Sequence, residues 1–209
     1  MRFSGLRRIW ERLSAGKRTD GREQAVSDPA GKKIAYLGYT GPIDSNGATR
    51  IASTINWAVN EQYECVYLCF NSPGGYVGDG IYLYHHIRAL PVEVVMHNTG
   101  TVASIAATLF AAGHRRFCAP HSIFMMHPIT VGGTDSMASE PLQAALDAAL
   151  KDEVRTESIL RERTRIPQEI LTARRSRDVY LTADKALEYG LVDEIREFTL
   201  PAGSKIFQI

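Results

Sequence analysis

The chain has 209 residues, with 24 Lys or Arg against 23 Asp or Glu and a formal net charge of +1. That length suits one domain, two at most, at roughly 100–200 residues each, and it can bury a core without disulfide or metal staples. The balanced charge argues against a nucleic-acid partner, the 44% apolar share excludes wholesale disorder, and no run approaches the ~18–20 apolar residues of a membrane span.

Residues 1–33 differ from the rest, with nine Lys or Arg and four Asp or Glu. Phe3, Leu6, Trp10 and Leu13 recur at roughly helical spacing among Arg2, Arg7, Arg8 and Arg12. A short basic helix of this kind could touch an anionic membrane surface or dock on a partner. The plainer reading is a frayed polar extension, with residues 16–31 as a linker. The three cysteines, Cys65, Cys69 and Cys118, are odd in number and match no zinc spacing. They are expected as free buried thiols of a cytoplasmic protein, with no metal and no cofactor.

From Ile34 the chain alternates strand-like and helix-like segments. Ile34–Gly38 is a short apolar run. Asp44 or Ser45 can cap a helix that turns Ile51, Ile55 and Val59 inward. Cys65–Phe70 is apolar on both faces, as in a doubly covered parallel strand. Asn71-Ser-Pro-Gly-Gly75 breaks it, and residues 80–90 read as a helix. Val92–His97 is a strand, followed by a loop to Gly100 and a small-residue helix from about Ala103 to Ala112. Arg116–Cys118 and Ile123–Met126 are further strands. Residues 137–162 contain no Gly and one Pro, Pro141, and place Leu142, Leu146, Leu150, Val154 and Ile159 at helical spacing. Pro167 opens another helix. Thr182 caps a short one that ends at Gly190, and Leu191–Ile195 is the last strand. This alternation implies an α/β domain.

Chemistry could sit at three places. Ser104 opens the small-residue helix, where free N–H groups and the positive dipole end suit a developing oxyanion. It lies outside a G-x-S-x-G elbow, and taken alone it reads as a helix cap or a small buried residue. His127 closes a strand and precedes Pro128, so it can face a cleft. None of the six histidines forms an H-E-x-x-H pair. Gly74 and Gly75 let backbone approach a ligand closely, or simply make a Pro-Gly turn.

Four segments, N-S-P-G-G, G-T-V-A-S, M-M-H-P and L-T-A-D-K-A-L-E-Y-G-L-V-D, occur in that order. Together they resemble the Clp protease proteolytic-subunit family of serine peptidases, from about Ile34 to Ile195. The second glycine of S-P-G-G precedes Ser104 by 29 positions (104 minus 75), and His127 follows Ser104 by 23. The resemblance implies an α/β fold, a Clp/crotonase-like spiral of ββα units with a protruding handle helix. It implies a peptidase domain over 34–199, with the handle at about 132–162, and a C-terminal tail over 200–209.

It further implies Ser104 as nucleophile, His127 as general base, and the N–H groups of Gly75 and Ile105 as oxyanion hole. Substrates would be unfolded proteins or short peptides. Partners would be further copies in a heptameric or double-heptameric ring, and an unfoldase ATPase. Two features depart from the family. Arg174 occupies the place of the triad aspartate, counting back from Arg177-Asp178, and Asp178 is the expected substitute. The N-terminal gate segment has no match in residues 1–33. A catalytically weak or inactive ring subunit is therefore the alternative reading, and an acyl-CoA enzyme of the crotonase type is a third.

Overall fold

The computed structural model describes residues 32–132 and 137–209. The basic extension and the four residues 133–136 of the expected handle lie outside them. Parallel strands β1 (Ile34–Thr40), β2 (Cys65–Ser72) and β3 (Glu93–Ala103) form the centre of an eight-stranded sheet. Helix α1 (Ser45–Asn60) joins β1 to β2, and α2 (Val77–Ala89) joins β2 to β3. Asp44 caps α1 by accepting from the Gly47 N–H at 2.7 Å, which satisfies one free donor of its first turn. Ile51 and Ile55 point inward as their spacing predicts, joined by Ala48, Ala52 and Ala58, while Val59 is only partly buried.

The period of two along each strand separates two apolar layers. Leu37, Leu68, Val94 and Met96 pack beneath the helices. Tyr36, Cys65, Tyr67, Val95 and Phe117 form a second cluster on the other face, against Phe198 and Leu200. So β2 is covered on both sides, but on one side by the returning chain near Phe198 rather than by helices. Both edges carry strands the sequence reading did not contain. Antiparallel β6 (Val179–Thr182) pairs with β5 (Ile123–Met126). Parallel β8 (Ile206–Gln208), near the end of the 200–209 tail, pairs with β1.

β3 runs on through the expected loop to Ala103. Its first half pairs with β4 (Arg115–Cys118) and its last three residues pair with β5. The split accompanies a bulge: Phe70 faces Asn98, but Ser72 faces Val102. Two asparagines absorb the irregular backbone. The Thr101 N–H donates to Asn71 Oδ1 at 2.9 Å, and the Gly100 N–H donates to Asn98 Oδ1 at 3.0 Å. A bulge bends its strand and re-aims the chain beyond it, and the first residue beyond β3 is Ser104.

The handle helix α4 (Ser139–Arg163) is followed by α5 (Gln168–Ala173). It accepts Pro141 because its first turn has free N–H groups in any case. Its C-terminal part packs on the body through Thr156, Ile159 and Leu160. Leu142, Leu146, Leu150 and Val154 instead stand 44–59% exposed, so the expected stripe splits from buried Ile159. Thr182 caps α6 (Ala183–Glu188), and β7 shrinks to Glu194–Ile195. Among the described residues no helix is long and apolar enough to cross a membrane, and all three cysteines are free thiols, Cys65 and Cys118 buried as expected but Cys69 only partly so.

His97 ties the second layer together. It is fully buried; its Nε2–H donates to the Arg196 carbonyl at 3.0 Å and its Nδ1 accepts from the Tyr67 hydroxyl at 2.7 Å. Burial pushes its pKa down from 6.5 to about 4. Below pH 6.5 the unfolded chain takes up a proton that the native ring refuses. Stability present above pH 6.5 is therefore lost as pH falls through about 4, by up to about 3 kcal/mol. Urea unfolding at pH 7, 5.5 and 4.5 should show this slope flattened in His97→Gln. An equal slope in both proteins would remove His97 as its cause.

Candidate active site

Ser104 lies between the end of β3 and the start of α3 (Ile105–Phe110). Its backbone has φ 58° and ψ −132°. For a residue with a Cβ this is a strained conformation, of order 1–3 kcal/mol, that persists only when its surroundings hold it. They do: its N–H donates to the Met125 carbonyl at 2.7 Å, and its carbonyl accepts from Ala107 at 3.0 Å.

On the other side is the glycine loop. A Cβ on Gly74 would lie 2.5 Å from Ser104 Cβ and 2.7 Å from the Ala103 carbonyl, and Gly74 has φ +92°. A Cβ on Gly75 would meet the Ile43 carbonyl at 2.3 Å. The loop is anchored to Ile43, whose N–H donates to Gly74 and whose carbonyl accepts from Tyr76, both at 2.8 Å. The pair of glycines is thus required by close approach, not by a simple turn.

His127 follows β5, and its Nε2 is 2.8 Å from Ser104 Oγ. With Nε2 as acceptor the serine hydroxyl donates to it. Both side chains are half-buried, at the mouth of a cavity. The N–H groups of Gly75 and Ile105 find no acceptor among the described residues, so both are free to donate. The four residues singled out from the sequence therefore lie on three neighbouring segments: the loop after β2, the β3–α3 junction and the end of β5.

No carboxylate stands behind His127 among the described residues. Asp178 is exposed, and its Oδ2 accepts from the Tyr180 hydroxyl at 3.5 Å. Arg174 points inward, only 5% exposed, and pairs with Glu153 Oε2 of α4 at 2.9 Å. It also donates to Thr156 Oγ1 at 3.1 Å and to the Glu153 carbonyl at 3.2 Å. Burial lowers the Arg174 pKa, and Glu153 opposes that shift. Glu153 Oε1 accepts from the Ile129 N–H at 3.0 Å, two residues beyond His127. Arg174 lines the same cavity as Ser104 and His127.

The sequence reading placed Ser104, His127, Gly75 and Ile105, but it did not include Glu153. A signal was present: Glu153 shares a helix face with Thr156 and Leu160, at spacings of three and seven, where an apolar residue would be usual.

Ser104 and His127 can do acyl-transfer chemistry, with two free N–H groups near the nucleophile. The family model for Clp protease matches residues 31–198. The chain is 30% identical over 175 residues to the ATP-dependent Clp protease proteolytic subunit 2 of Pseudomonas aeruginosa, covering 81% of this chain and 86% of that protein. It is 34% identical over 167 residues to the ATP-dependent Clp protease proteolytic subunit 1 of Mycobacterium leprae, covering 78% and 82%. With the fold, the four ordered motifs and this match over most of its length, the chain belongs to the Clp protease family of serine peptidases.

Proposed function

We propose that the chain hydrolyses peptide bonds of unfolded proteins or short peptides through an acyl-enzyme on Ser104. The observation that carries this is the 2.8 Å contact between His127 Nε2 and Ser104 Oγ. A serine hydroxyl is a poor nucleophile until a base takes its proton. Nε2 takes it as Oγ attacks the carbonyl carbon, and the N–H groups of Gly75 and Ile105 receive the oxyanion. His127 then returns the proton to the leaving amine, and water repeats the sequence to free the enzyme. The test is labelling by a fluorophosphonate probe, expected on the wild type and absent from Ser104→Ala.

A second reading is favoured by one observation, the pairing of Arg174 with Glu153 in place of a carboxylate on His127. It makes the chain a slow Ser–His dyad, or a weak member of a mixed assembly.

Assembly is the other part of the proposal. Leu142, Leu146, Leu150 and Val154 form an exposed apolar stripe along the free part of α4, of the kind that marks a partner surface. The occupant is a second copy, giving rings of seven that stack through their handles and enclose the active sites. An unfoldase ATPase would feed such a chamber, in keeping with the word ATP-dependent in the names of both relatives. Light scattering should give a mass near seven or fourteen subunits, and Leu146→Glu should halve the larger species without unfolding it. A wild-type monomer at micromolar concentration would end the ring reading.

A further inference from the structure

The cavity beside Ser104 and His127 has a volume of about 20 Å³. A single water needs roughly 10–15 Å³ of such space, so one or two non-hydrogen atoms fill it. Its walls include Ile129 and Leu160, and its polar lining beyond Ser104 and His127 is Thr108, Thr156 and Arg174. Leu160 and Thr156 are buried, and Arg174 is held by three contacts from α4: the Glu153 carboxylate, the Glu153 carbonyl and the Thr156 hydroxyl. The guanidinium cannot swing aside without leaving Glu153 unpaired in the interior, which is costly. Nor can the backbone yield easily, because the Glu153 carboxylate also holds the Ile129 N–H. The depth is thus set by a braced ion pair.

A peptide whose carbonyl carbon sits at Ser104 Oγ places the side chain of the residue that donates that carbonyl against this cavity. We infer that Arg174, braced by Glu153, makes this a short polar-floored pocket that selects alanine or serine at the residue before the cut and rejects leucine and phenylalanine. The inference rests on Ser104 being the nucleophile. The methyl of alanine fits the space. Serine adds one hydroxyl oxygen, which still fits the space and meets a lining made polar by Thr108, Thr156 and Arg174. Leucine brings four carbons to a space for one or two atoms. Each methylene too many in a specificity pocket is typically a factor of ~10–200, so the discrimination should be large.

The experiment uses internally quenched peptides identical except at that residue, carrying Ala, Ser, Leu or Phe, with the purified full chain. Expected is kcat/KM for Ala and Ser at least about 10-fold above Leu, and Phe lower still. Leu160→Ala should raise cleavage after Leu relative to Ala by a similar factor. Because Leu160 is a core residue and its variant could fail to fold, Ile129→Ala, at a half-buried wall position, is the second enlarging variant. A protein that takes the fluorophosphonate on Ser104 yet cleaves after Leu or Phe as readily as after Ala overturns the pocket inference alone. So does an unchanged ratio in both enlarged variants. A protein that takes no probe and cleaves none of the four overturns the peptidase reading, and the pocket falls with it.

Discussion

Ser104→Ala should lower peptide turnover by only about 10²-fold, far less than the roughly 10⁶-fold loss seen when a complete Ser–His–Asp triad loses its serine. In a triad protease, removing the acid alone costs about 3 × 10⁴ and removing all three groups about 2 × 10⁶. What a serine and histidine still contribute without the acid is the ratio, about 70. Here His127 contacts Ser104 and, among the described residues, no carboxylate. The wild type is therefore expected to be slow, with little left to lose. His127→Ala should cost the same, and the double variant no more, because the two act as a unit. Asp178→Asn should leave turnover unchanged, since that carboxylate is exposed and faces Tyr180. The measurement is kcat on a peptide ending its acyl part in alanine, above background, in each variant. A loss near 10⁶-fold at Ser104 would mean that an acid does serve His127. Full turnover in Ser104→Ala would remove the serine from the mechanism.

The second large effect concerns stability. Glu153→Leu leaves the Arg174 guanidinium charged, 5% exposed and without its carboxylate. Breaking one side of a buried pair typically costs about 3–5 kcal/mol. At roughly 2–4 °C per kcal/mol for a chain of this size, Tm should fall by about 6–20 °C. Glu153→Leu combined with Arg174→Met removes both charges and fills similar volume. It should recover most of the loss, because an apolar pair avoids the desolvation cost altogether. Unfolding of all three proteins must be compared at one concentration, since assembly adds stability by mass action. If the double variant is no more stable than the single, the ion pair is not what the single variant damages.

Local signals carried far in this sequence because their causes are local. Asp44 and Thr182 cap their helices through hydrogen bonds spanning three residues, and capping preference is written in residue type. The apolar run of β2 and the spacing of Ile51 and Ile55 set which faces turn inward. β6 is not legible in the sequence because its four residues are stabilised by pairing with β5, more than fifty positions earlier. The same holds for β8, whose three residues pair with β1. Strand propensity depends on such neighbours more than on the residue itself.

By itself, then, the sequence determined an α/β chain, the long helix with its apolar stripe, the glycine pair and the order in which Ser104 and His127 occur. Tertiary structure alone decided how they meet. The bulge between β2 and β3, held by Asn71 and Asn98, turns the chain at Ser104 into a strained conformation. Pairing of β3 with β5 then brings His127 to within 2.8 Å of it. The fate of Arg174 was likewise decided by a helix docking 21 residues away, which supplied Glu153. A charge has no local rule that names its partner. Burial selects one, because an unpaired guanidinium in the interior is the costlier alternative.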